Sequence, residues 1–153
     1  MAEPNNAADA AGSVVVRETG RGKFQQEVVW GPHHLTADEP VNVGGLGTGL
    51  GPYELLLASL GACTAMTLRL YAEQKKLPLK SVQVRLRHSR IHAEDCAECE
   101  TKTGMLDRIE RVITLDGDLD DEQRTRLMQI ADKCPVHRTL TSEVDIRTSE
   151  SRG

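Results

Sequence analysis

The sequence predicts an α+β domain, on three observations. Short β-branched, alternating runs fill the first forty residues, one long apolar stretch follows Pro52 with helical spacing, and two further alternating runs precede a well-signalled second helix. At 153 residues the chain has the size of one ordinary domain, able to bury a core without disulfides or metals. The ordered domain is expected over 13–148, between tails at 1–12, rich in Ala, Asn and Asp, and at 149–153.

Val14 to Thr19 and Phe24 to Trp30 read as a hairpin around Gly20-Arg21-Gly22, where glycine supplies positive φ. His33 to Ala37 adds a third strand, and Val43 to Pro52, with five glycines and no core pattern, reads as a flexible loop. Pro52 can open a helix because its missing N–H falls where no partner is needed. From there to about Lys76, Leu56, Leu60, Cys63, Met66, Thr67 and Leu70 recur at spacings of three and four, and further apolar residues cover most of the circumference, as in a buried helix. Val82, Val84 and Leu86 alternate with polar residues, as do Ile109, Ile113 and Leu115, so these runs form a long antiparallel hairpin with a turn over 92–104. Asp120 and Gln123 make a capping box for a helix whose Leu127, Ile130 and Ala131 form one face, and Cys134 continues that face inward. Leu140 to Arg147, with Val144 and Ile146 in phase, is expected to close the sheet as a strand.

Composition narrows the function. With 39% hydrophobic residues but only one Trp, two Tyr and one Phe, the core is aliphatic and stacking on bases or sugars is not a theme. A formal charge of -4 spread along the chain argues against a nucleic-acid binder. The start lacks the charged and apolar regions of a secretory signal, and no apolar run is expected to span a membrane, so the expected location is the cytoplasm. Thiols stay reduced there, so the four cysteines are expected to be reactive, metal-binding or buried rather than structural bridges.

Cys63, in the middle of an apolar helix, reads either as a small core hydrophobe or as a reactive thiol, the latter only if a cation or donor offsets its burial. In Cys134-Pro135-Val136-His137 the proline is placed to start a new helical turn, whose free N–H groups and positive end would stabilise a thiolate. The alternative is an inert turn. Sequence separation alone does not show that the two sulfurs meet.

The run from Gly51 to Thr64, GPYELLLASLGACT, followed by Cys134-Pro135-Val136-His137, resembles the OsmC/Ohr family of osmotically induced and organic hydroperoxide resistance proteins, over about 35 to 147. The resemblance implies antiparallel sheets wrapped around a long buried central helix in an intertwined homodimer. It also implies a peroxidatic thiolate at Cys63, resolved by Cys134 and restored by a dithiol reductant, either a small molecule or a lipoylated protein. Organic or fatty-acyl hydroperoxides would be the substrates, with no cofactor required. The family's acidic residue would be Glu54, which also reads as a first-turn charge on the helix dipole. Its arginine would be Arg21, with Arg17 and Lys23 as alternatives.

His88, His92, Cys96 and Cys99 lie within twelve residues and would suit a structural zinc. A redox disulfide between Cys96 and Cys99, or an uncommitted acidic tip, are the other readings of that segment. Two rivals to the peroxidase stand beside it: a non-catalytic small-molecule binding module of the same fold, and a zinc-stabilised stress protein.

Overall fold

The computed structural model describes residues 12–152, so the expected tail at 1–12 lies outside them apart from Gly12. Contacts group the chain into two units, Met1–Leu56 and Leu57–Gly153.

The first unit holds an antiparallel sheet of order β1-β2-β3, formed by β1 (Val15–Glu18), β2 (Gln26–Trp30) and β3 (His33–Ala37). Val16 pairs with Val28, and Val28 with Leu35, so the alternating runs expected from the sequence set the register. The glycine-rich segment after β3 is not a loose loop. It folds around Asp38, which is 2% exposed and accepts bonds from the Thr48 hydroxyl at 2.6 Å, the Glu39 N–H at 2.8 Å, and the N–H groups of Thr48 and Leu46 at 3.1 and 3.2 Å. Gly45 and Gly49 press so closely on the carbonyls of Glu39 and Thr36 that a Cβ at either position would overlap them. These glycines serve close approach rather than mobility.

The Thr48 hydroxyl, with the three N–H bonds, outweighs desolvation and holds the Asp38 carboxyl below the usual aspartate range. A depressed folded-state pKa contributes stability above the unfolded value of about 3.9 and loses it as pH falls through the folded value. Asp38→Ala is therefore expected to lower the thermal midpoint at neutral pH, with the gap from wild type closing in acid. Equal midpoints at neutral pH would contradict this account of the loop.

The second unit is built on α1 (Pro52–Gln74) from Leu57 onward, β4 (Leu79–His92), β5 (Met105–Gly117), α2 (Asp121–Ala131) and α3 (Pro135–Leu140). The strands form the expected hairpin, paired from Leu79↔Gly117 to His92↔Met105 with an irregularity between Leu79 and Ser81. Arg69 of α1 donates to the carbonyls of Leu79 and Lys80 there, at 2.8 and 3.1 Å, fixing the strand to the helix. Asp120 and Gln123 form the capping box of α2, each side chain bonding the other's backbone N–H. The core gathers Leu68 and Ala72 of α1 with Leu79, Leu119, Leu127, Ile130 and Ala131. Val82, Ile113 and Leu115 pack against it from the hairpin.

Three expectations change here. Burial of α1 is one-sided in the single chain: Leu60, Gly61, Thr64, Leu68 and Ala72 are covered, while Met66 is 70% and Leu70 58% exposed. At 23 residues α1 is also long and apolar enough to cross a membrane, by length and composition, contrary to the expectation that no run would be; its covered stripe and Arg69 make it a core helix here. The strand expected over 140–147 does not form. The turn begun by Pro135 carries Leu140 into α3, no strand among the described residues pairs with residues 141–147, and Ile146 is 80% exposed.

Candidate functional site

The site forms where α1, β5 and the start of α3 meet in the second unit. Cys63 and Cys134 are its free cysteines; Cys63 is half-buried and Cys134 fully buried. Local sequence explains how each sulfur is held. Cys134 is the N-cap of α3 and Pro135 its first residue, so the first N–H groups of the helix belong to Val136 and His137 and have no partner within it. The Val136 N–H donates to Cys63 Sγ at 3.5 Å, and the His137 N–H donates to Cys134 Sγ at 3.3 Å. Neighbouring donors on one turn thus serve two sulfurs from distant parts of the chain.

A side-chain chain reaches the same place from the sheet. Thr64, one residue beyond Cys63 and fully buried, donates to the Leu60 carbonyl at 2.7 Å, and its oxygen lies 3.8 Å from Cys134 Sγ. Arg111 of β5 donates from Nη1 to the Thr64 hydroxyl at 2.9 Å and from Nη2 to Asp132 Oδ1 at 2.9 Å. The Arg111 side chain is only 11% exposed, whereas Asp132 is 69% exposed, so a nearly buried cation is anchored from the surface. Burial alone would push the Cys134 thiol up. The His137 N–H, the Thr64 hydroxyl, the Cys63 thiol and the Arg111 charge together overcome that and hold it below the ordinary thiol range.

Against the α3 turn that serves the sulfurs lies a cavity of about 350 Å³, walled by Leu60, Ile109 and Leu140 and edged by Asp107, Arg111, His137 and Thr141. A larger hollow of about 550 Å³ runs along α2 past Arg124 and Met128; it shares Arg111 but has no α3 residue in its wall, and neither cysteine lines either cavity. The smaller cavity is the one that borders the α3 turn, through His137, whose N–H serves Cys134.

Sequence reading found both cysteines and the α3 donors. It missed Arg111, although the signal was present: Arg111 stands in the inward phase of β5 with Ile109 and Ile113, where a charge needs a partner. The residues expected to supply the cation and the acid lie in the first unit. Arg21 is exposed in the hairpin turn, its N–H donating to Thr19 Oγ1 at 3.1 Å, and Glu54 is exposed in the first turn of α1. Of the alternatives to Arg21, Arg17 pairs with Glu27 at 2.9 Å and the Lys23 ammonium sits 4.8 Å from the centre of the Phe24 ring.

The expected zinc set of His88, His92, Cys96 and Cys99 does not assemble. Cys96 and Cys99 are joined in a disulfide, which removes the thiolates a metal would need, and His88 Nε2 is 2.8 Å from Asp107 Oδ1. Among the described residues no three His, Cys, Asp or Glu side chains converge as metal ligands. Bridge formation is favoured because a C-x-x-C at the turn of a hairpin brings the two Cα atoms to 5.5 Å.

An α+β chain that holds two free cysteines together on one set of backbone donors, with a cation behind them, defines a paired-thiol protein. Residues 45–149, well over half of the chain, match the family model described as OsmC-like protein. The chain belongs to the OsmC-like family. Among solved structures it is similar to the organic hydroperoxide resistance protein OsmC of Legionella pneumophila, at 23% identity and a TM-score of 0.61, covering 89% of this chain and 94% of that one. It is also similar to the organic hydroperoxide resistance protein OhrB of Bacillus subtilis, at 19% identity and TM-score 0.58, covering 87% and 92%. An OsmC-like protein of Mycoplasma pneumoniae gives 20% identity and TM-score 0.61 over 84% of both chains. No curated protein sequence matches the chain. At these identities the likeness speaks to fold, and the chemistry must come from the site.

Proposed function

We infer that this protein is a cytoplasmic thiol peroxidase that reduces organic or fatty-acyl hydroperoxides, with Cys63 attacking and Cys134 resolving. Membership of the OsmC-like family supports a role in peroxide stress. The observation that carries the finer reading is the pair of adjacent N–H groups, Val136 and His137, each donating to a different free sulfur. Such an arrangement stabilises negative charge on either atom as the reaction moves it from one to the other.

The order of steps rests on which sulfur is open. Cys63 is the less buried, so it meets the peroxide. Its proton passes to the Cys134 sulfur, which is held below the ordinary thiol range and so stands ready as a thiolate. The Cys63 sulfur attacks the distal peroxide oxygen, the O–O bond breaks, and the alkoxide leaves and is protonated by water to the alcohol. Cys63 is then a sulfenic acid. Cys134 releases its proton and attacks the Cys63 sulfur; the sulfenic oxygen departs as water and a disulfide remains. An external dithiol returns both thiols by two exchange steps. The aliphatic wall of Leu60, Ile109 and Leu140 favours a hydrocarbon-bearing peroxide over hydrogen peroxide.

The working form is a homodimer. Exposed Met66, Leu70, Val112 and Met128 leave the second unit with more open apolar surface than a lone chain is expected to carry. Intact mass spectrometry of the reduced protein after one equivalent of cumene hydroperoxide is expected to show loss of two hydrogen masses, and sedimentation of the same sample to give twice the chain mass. An unchanged mass would remove the peroxidase, and a monomer would remove the dimer.

A further inference from the structure

The other two cysteines take no part in that chemistry. Cys96 and Cys99 stand at the tip of the β4–β5 hairpin, bridged to each other and half-buried. As a staple the bridge has little to hold. It links residues three apart, and the benefit of a crosslink shrinks with the loop it closes. The hairpin is already closed beneath it by the His92↔Met105 pair and by the Ala93 N–H donating to the Gly104 carbonyl at 2.8 Å.

We propose that Cys96–Cys99 is a second thiol–disulfide exchange site, one that accepts electrons from a dithiol protein whose reactive cysteines are rimmed by Lys and Arg. Charge selects that partner. Glu94, Asp95, Glu98 and Glu100 surround the pair and are exposed, while the one cation of the tip, Lys102, turns its ammonium to the Ala97 carbonyl at 3.5 Å. An anionic thiol approaching this tip is repelled, and a cationic one is drawn in.

The site works apart from the inner pair. Arg111, which reaches Cys134 through Thr64, stands six residues along β5 from Met105, where the tip begins. That is about 20 Å of strand, far beyond the contact that exchange between sulfurs requires. In the exchange, one thiolate of the external dithiol attacks a tip sulfur, the S–S bond breaks, and the released thiolate takes a proton. The second external thiol, as its thiolate, then attacks the mixed disulfide, freeing the other cysteine, which is protonated in turn. The tip gains two electrons and two protons, and the external dithiol becomes a disulfide.

The test uses the wild-type chain with no peroxide present, so its outcome is independent of the peroxidase reading. The folded protein is treated in parallel with dithiothreitol, cysteamine, 2-mercaptoethanol or glutathione, blocked with iodoacetamide and digested with trypsin, and the fragment 91–102 is weighed. Dithiothreitol should open the tip, read as two added carbamidomethyl groups, while circular dichroism stays native. At low ionic strength the positively charged cysteamine should exceed the anionic glutathione in rate by about tenfold or more, with neutral 2-mercaptoethanol between them, and the spread should collapse near 1 M salt. A tip that opens only when the protein unfolds overturns the exchange site. A glutathione rate equal to that of cysteamine at low salt overturns the basic-rimmed partner.

Discussion

Cys63→Ser should leave the protein unable to consume hydroperoxide at all, whereas Cys134→Ser should react once and stop. The asymmetry follows from exposure, since Cys63 is the half-buried sulfur and Cys134 is sealed. In the Cys134→Ser protein the sulfenic acid formed on Cys63 has no thiol beside it and should persist long enough to be captured by dimedone, giving the mass of one adduct. Serine nearly matches cysteine in size, and its hydroxyl can still accept the His137 N–H that caps α3, so the fold should survive both changes. Steady turnover in either variant would show that the roles assigned to the two sulfurs are wrong.

The second large effect is expected at Arg111. Arg111→Met removes the positive charge near Cys134 and the donor that holds the Thr64 hydroxyl. With burial then less opposed, the Cys134 thiol should move up from its lowered position, and the acid limb of the peroxidase pH profile should shift to higher pH with it. A loss of about a hundredfold in kcat/KM near neutrality is the expected scale for removing a preorganised charge-stabilising group. Arg111→Lys separates charge from placement. An ammonium restores part of the field but cannot donate to Thr64 and Asp132 with a planar fork, so the pH profile should recover more than the rate. Stability gives a second readout. A thiol that ionises more easily folded than unfolded adds stability as pH rises through the folded value toward the unfolded one, about 8.5, and that gain is lost as pH falls back through the folded value. Arg111→Met should flatten this rise. An unchanged pH profile in Arg111→Met would leave the guanidinium a purely structural role.

Short-range signals in the sequence were reliable where one residue type has one physical use. The Asp120 capping box, the Pro52 helix start and the Cys134-Pro135 turn are of this kind, and each stands in the structure as its chemistry requires. Two cysteines of the site were legible for the same reason. The cation was not, because an arginine in a strand reads as solvent-facing until the phase of its neighbours is counted, and because only folding reveals that Thr64 is the group it meets. Segments whose state depends on a distant partner were the least legible. Val144 and Ile146 alternate like a strand but join no edge among the described residues, and the glycines between Gly44 and Gly51 look loose until the buried Asp38 carboxylate collects the N–H groups around it. The C-x-x-C offered ligands to a metal on paper, yet its spacing suits a bridge at least as well.

The wet side of α1 has a thermodynamic consequence. Met66 and Leu70 are side chains whose transfer out of water is favourable, so a second molecule that shields them adds its association energy to the folding equilibrium. In the homodimer proposed above, heat resistance would become a property of the solution as well as of the polypeptide, rising when the protein is concentrated and falling on dilution.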